Sequence, residues 1–215
     1  TCALPIYGAA VFDDFDGFSG TSLDSNRWQV VNQANGSIGV AGGTLTITAA
    51  GDWWEMSDTA ASVVARTPVG VPYIAEALIT TWIGKTSRIF GVRASTSNAS
   101  AFLALVNDSD ASNATIVYRD GTGQTAGWAG EESGVPRIAF PSLARFDVSL
   151  GSVTARYGGR IAGSRTVPDW TLTLPAFTAS HGYTSAIEWY RVRRLPPVAP
   201  TIGRGAERAN PGPGI

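Results

Sequence analysis

The chain has 215 residues, 44% of them hydrophobic, 15% charged, and a formal net charge of −1. That balance excludes a globally basic nucleic-acid binder, and no run approaches the roughly 18 apolar residues that a membrane-crossing helix needs. The charged fraction lies below the roughly 25% of an ordinary soluble domain, so the surface is expected to be built from Ser, Thr, Asn and Gly. Cys2 is the only cysteine, which excludes an intrachain disulfide and a cysteine-based zinc site. The opening residues lack the charged-then-apolar pattern of a secretory leader. Thr1 fits removal of an initiator Met or cleavage of a leader before it.

In chain order, Ala9 to Phe12 is expected to pair as a strand, followed by turns at the glycines and at Asp24-Ser25-Asn26. Strands are predicted at Trp28 to Val31 and Ile38 to Val40. Gly42-Gly43 then turns into Thr44-Leu-Thr-Ile-Thr48, where apolar residues alternate with threonines at the period of a half-buried strand. Asp52 to Ala61 has no clean helical stripe and reads as a loop. Further strands are expected at Ser62 to Arg66, Tyr73 to Ile83, Arg88 to Arg93, Ala101 to Asn107 and Thr115 to Arg119, with Tyr73 to Ile83 central. Gly127 to Pro136 reads as a loop containing Trp128 and Glu131-Glu132. From Leu143 to Leu150, Ala144, Phe146, Val148 and Leu150 face one way and Arg145, Asp147 and Ser149 the other. Val153 to Tyr157, Trp170 to Leu174 and Ala186 to Arg194 complete the set.

About a dozen short strands without a long helix predict an all-β, two-sheet antiparallel jelly-roll sandwich over residues 1–194. From Leu195 the composition changes to Pro, Gly, Arg and Ala. Residues 195–215 read as an extended C-terminal arm, disordered alone or ordered on a neighbouring subunit. In the second case Ile202 and Ile215 would anchor in pockets, and Arg204 and Arg208 would pair with carboxylates.

Three stretches carry a resemblance: Phe12-Asp-Asp-Phe-Asp to Trp28, the Gly43-Thr-Leu-Thr-Ile47 strand, and the closing Ile187-Glu-Trp-Tyr-Arg-Val-Arg-Arg194 strand. Together they resemble the concanavalin A-like lectin/glucanase superfamily. The resemblance implies a jelly roll whose first and last strands pair. Phe12, Phe15, Trp28 and Trp189 are its expected core anchors. It also implies one structural calcium, with Asp14, Gly43 and Glu188 as ligands. The alternative for the acids is pairing with Arg27 or Arg191.

The glucanase branch uses a Glu-x-Asp-x-x-Glu strand, which this chain lacks. Glu76 lies on a strand, but Leu78 and Thr81 stand where its partners would be. Glu55-x-x-Asp58, beside Trp53-Trp54, is the nearest carboxylate pair and reads as a solvated turn or the lining of a sugar cleft. His181, the single histidine, has no triad around it in the sequence. Trp53, Trp54, Trp128 and Tyr183 are the expected carbohydrate-stacking residues. These features lead to the expectation of a non-enzymatic, lectin-like virion accessory protein, a phage tail or capsid decoration. It would be virion-borne or extracellular and oligomeric. It would adhere to a surface glycan and dock on other subunits through the arm, without nucleic acid or membrane insertion. The alternatives are a purely structural decoration subunit, a secreted carbohydrate-binding module and a glycoside hydrolase.

Overall fold

The computed structural model describes residues 12–31, 33–49, 61–83, 86–94, 102–108, 114–119, 139–167, 170–179 and 184–195. Among these lie fifteen strands: β1 (Asp14–Asp16), β2 (Trp28–Val31), β3 (Gly36–Ala41), β4 (Thr44–Ala49), β5 (Ser62–Ala65), β6 (Val69–Gly70), β7 (Tyr73–Ile83), β8 (Thr86–Arg93), β9 (Phe102–Asp108), β10 (Ala114–Arg119), β11 (Ser142–Ser149), β12 (Ser152–Tyr157), β13 (Arg160–Thr166), β14 (Leu172–Thr178) and β15 (Thr184–Arg194). A 3-10 turn occupies Gln33–Asn35.

The strands form two antiparallel sheets packed face to face. The larger has the order β13-β12-β11-β7-β15-β4-β3, and the smaller β10-β9-β8-β14-β5-β2. β15 is long enough to pair with β7 along one edge and with β4 and then β1 along the other. The first and last strands therefore meet as expected, with Phe15 opposite Arg191. β6 extends the row of β5 beside β14.

Period-two alternation makes the core. On β11, Ala144, Phe146 and Val148 are buried while Arg145 and Asp147 face outward. β12 contributes Val153, Ala155 and Tyr157, and β4 contributes Leu45, Ile47 and Ala49. An aromatic cluster joins the sheets. Phe90 stacks on Phe177 at 5.0 Å, and Trp28 meets Tyr190 at 5.2 Å and Phe177 at 5.6 Å. Burying each such ring contributes about 4–6 kcal/mol of transfer free energy as an upper bound.

Three expected anchors stand elsewhere. Phe12, Phe15 and Trp189 are half-buried, and Phe18 and Tyr190 fill the core instead. The cause on β15 is a bulge between Ile187 and Trp189, which shifts the alternation so that Tyr190 and Val192 point inward. Leu150, expected inside, is exposed at the β11–β12 turn. Among the described residues the first strand is Asp14–Asp16; of the strand expected from Ala9 to Phe12 only Phe12 is described, in a bend, and the rest lies outside the described residues. β13 is absent from the expected strands; its exposure follows no simple alternation.

Three glycines are required by geometry. Gly42 and Gly43 both have positive φ in the β3–β4 hairpin turn. A Cβ on Gly36 would lie 2.3 Å from the Thr48 carbonyl and 2.8 Å from Ala61 Cβ. One core cluster draws on both sheets, from Phe18 to Val192, and the arm residues Ile202, Arg204, Arg208 and Ile215 lie outside the described residues.

Candidate functional site

The stretch that closes the sandwich is built around Asp16 and Arg27. Asp16 Oδ1 accepts the Phe18 amide at 2.7 Å, and Oδ2 accepts Trp28 Nε1 at 2.7 Å. One carboxylate thereby fixes the turn and the indole behind it. Phe18, held at φ 47°, packs its ring 6.0 Å from Trp28. That burial is what sustains a left-handed backbone at a residue other than glycine. Arg27 donates to the Phe15 carbonyl and pairs with Asp14 at 3.3 Å and Asp24 at 3.9 Å. Asp13 Oδ2 accepts the Arg194 amide at 2.5 Å. Burial raises the Asp14 carboxyl above its ordinary range, against the opposing pull of Arg27. Two cavities flank this stretch. One of about 520 Å³ is lined by residues including Phe15, Asp24 and Arg27, and one of about 260 Å³ by residues including Asp13, Asn26 and Arg194.

The middle of the smaller sheet is covered on both faces. Val63, Ala65, Phe90, Val92 and Phe177 fill the core. Their alternates Ser62, Val64, Arg93, Leu174, Ala176 and Thr178, on the outer face, are buried too. Ser62 Oγ donates to Thr178 Oγ1 at 3.2 Å, and Thr178 Oγ1 lies 3.1 Å from the Ala61 carbonyl. These bonds fix the point where the β4–β5 connection enters the sheet. Arg93 is 1% exposed, on an outer face whose other buried members are neutral.

The larger sheet turns its charges outward. Glu76 Oε2 accepts Arg191 Nε at 2.6 Å and faces Arg145 Nη1 at 3.8 Å. Asp147 accepts Arg145 Nε at 2.6 Å and Arg156 Nε at 2.8 Å. Each of the two carboxylates therefore faces two arginines.

Of the expected ligands for an ion, Asp14 faces Arg27, Gly43 lies near the Gly17 carbonyl, and Glu188 is half-buried at the β15 bulge. Among the described residues no group of three or more His, Cys, Asp and Glu comes together. Trp53, Trp54, Glu55, Asp58, Trp128, His181 and Tyr183 lie outside the described residues. The topology does locate their connections. Trp53 and Trp54 lie between β4 and β5, Trp128 between β10 and β11, and Tyr183 between β14 and β15, so each connection has one end on the smaller sheet. Arg93 and the pairing of Arg191 with Glu76 were missed in the sequence. Alternation gave the faces of Arg145 and Asp147, but only the β7–β15 register sets Arg191 opposite Glu76.

No protein-family model matches the chain, and no curated protein matches it in sequence. Solved structures do match. Porphyranase B from Zobellia galactanivorans aligns at 14% identity over 86% of this chain and 92% of its own, with a TM-score of 0.57. An endo-acting O-glycanase of the human gut microbiota aligns at 8% identity over 86% of this chain and 100% of its own, with a TM-score of 0.66. A pseudo β-1,3-glucanase of Mycobacterium tuberculosis aligns at 12% identity over 86% and 99%, with a TM-score of 0.59. The chain thus has the concanavalin A-like lectin/glucanase jelly-roll fold. The expectation of a non-enzymatic phage tail or capsid accessory protein is corrected by this comparison. The structures that share the fold over their length include a porphyranase, an O-glycanase and glucanases.

Proposed function

We propose that this chain is an extracellular glycoside hydrolase that cleaves a polysaccharide beside its smaller sheet. The observation that carries the reading is the jelly roll shared with glycan-cleaving enzymes over nearly their whole chains. The placement of the aromatic connections supports it. Trp53 and Trp54 with Glu55 and Asp58 sit in the β4–β5 connection, and Trp128 with Glu131 and Glu132 in the β10–β11 connection, each joining the smaller sheet to the larger. Glycoside hydrolysis needs two carboxyl groups flanking the scissile bond, about 5–5.5 Å apart for retention and roughly 6.5–9.5 Å for inversion. Glu76 and Asp147 on the outer face of the larger sheet are paired with arginines, and we draw the acid and base from Glu55, Asp58, Glu131 and Glu132. Trp53, Trp54, Trp128 and Tyr183 would stack on sugar rings. This differs from a strand-borne Glu-x-Asp-x-x-Glu set, because here loops supply the chemistry.

A structural calcium at Asp14, Gly43 and Glu188 belongs to the same reading. It would have to share Asp14 with the guanidinium of Arg27. A melting temperature unchanged by EDTA would count against it. The hydrolase reading is tested by incubating the chain with laminarin, lichenan, porphyran and mucin and separating the products by chromatography. Oligosaccharide release from one of them is expected.

A further inference from the structure

The outer face of the larger sheet carries a row of charges that the proposed hydrolysis does not use. Across four adjacent strands, β15, β7, β11 and β12, the side chains run Arg191, Glu76, Arg145, Asp147, Arg156. Arg193 lies on the same face, one alternation beyond Arg191. Four arginines stand against two carboxylates. Counting Glu188 at the bulge as a third still leaves a positive surplus, on a chain whose net charge is −1.

The carboxylates set the arginines in place. Glu76 and Asp147 hold Arg191, Arg145 and Arg156 at their Nε–H groups. A guanidinium held at Nε still has four N–H groups on its terminal nitrogens. The Arg191 guanidinium also lies between two rings, 4.6 Å from Phe12 and 4.8 Å from Trp189, which further limits its rotation. A shallow cavity of about 180 Å³ is lined by Arg145, Arg156, Glu76, Leu143 and Gly159. Donors fixed before a ligand arrives lose less entropy on binding it.

We propose that this face binds an anionic polysaccharide, with one sulfate or carboxylate on the terminal N–H groups of Arg145 and Arg156, whose Nε groups Asp147 already bridges, and another near Arg191 and Arg193. At about 4.8 Å per strand, β15 and β11 stand roughly 10 Å apart, a separation of whole sugar units rather than of adjacent charges. Duplex DNA, with a charge every ~1.7 Å, would press phosphates onto Glu76 and Asp147. A glycan with one anion per sugar or per pair of sugars avoids them. The face is remote from the smaller sheet, so binding here does not depend on hydrolysis there.

The test is titration of the full chain with oligogalacturonate, dextran sulfate, neutral dextran and a DNA duplex, read by calorimetry and by amide chemical shifts. One anionic glycan binds, the shifts centre on Arg145, Arg156 and Gly159, and added NaCl weakens the complex. Uronate and sulfate are separated by which of the two probes binds. The double variant Arg145→Gln/Arg156→Gln loses at least about tenfold in affinity, since two charge-assisted contacts go. If it does not fold, the exposed Arg193→Gln carries the same reading with a smaller loss. Shifts confined to this face of the larger sheet separate this proposal from glycan held in the connections of the hydrolase reading. The proposal is overturned by no binding to either anionic glycan, by equal binding of neutral dextran, by full affinity in the folded arginine variants, or by tighter binding of DNA.

Discussion

Asp16 and Trp28 are joined by a 2.7 Å hydrogen bond from the indole Nε1 to one carboxylate oxygen, while the other oxygen accepts the Phe18 amide. The bond ties the first strand to the aromatic core. Asp16→Ala leaves two donors without their acceptor, one of them on a buried tryptophan. It is expected to cost about 2–4 kcal/mol, read as a lower urea midpoint at unchanged slope. Asp16→Asn keeps an acceptor for one donor and is expected to cost less.

Asp14 gives a pH-dependent term whose sign can be worked out. Burial holds its native carboxyl pKa above the ordinary value of 3.8. The native state therefore keeps the proton over a range where the unfolded chain has lost it. Stability from this group is fully present at acid pH and falls as pH rises from 3.8 through the native value. Asp14→Asn, compared with the parent chain by urea unfolding, is expected to gain relative stability from acid to neutral pH. A relative loss over that range would contradict the assignment.

The charge ladder should be unequal in strength. Glu76 is 12% exposed and bonded to Arg191 at 2.6 Å, whereas the Arg27–Asp24 pair is 3.9 Å long and nearly half exposed. A double-mutant cycle on Glu76 and Arg191 is expected to show about 1–2 kcal/mol of coupling, and one on Arg27 and Asp24 about 0–0.5 kcal/mol.

Gly36→Ala probes a close approach. The added Cβ would meet the Thr48 carbonyl, a backbone atom that moves only if β3 leaves β4. Destabilisation of about 2–3 kcal/mol is expected, with loss of amide-exchange protection along β3.

Much of the fold could be read from the chain because alternation carries it. The spans of β2 and β7 matched expectation, and the outward faces of Arg145 and Asp147 followed from Phe146 and Val148 between them. The pairing of the first and last strands followed from the resemblance of the two ends. Of the three expected anchors that lie outside the core, Trp189 traces to a bulge, which local alternation does not reveal. Phe18 was missed because a left-handed backbone turns its ring inward from a loop. The chemistry was less legible. An absent strand triplet suggested no catalysis, yet a jelly roll can draw carboxylates from its connections, and nothing in spacing alone tells a solvated Glu55-x-x-Asp58 from a working one.

The most direct measurement is reducing-end release from laminarin, lichenan, porphyran and mucin by the parent chain and by Glu55→Gln, Asp58→Asn, Glu131→Gln and Glu132→Gln. The account predicts cleavage of at least one substrate, and a loss of about 10²–10⁴-fold in at least two of the variants while their folds persist. No release from any substrate, or activity indifferent to all four substitutions, would contradict it.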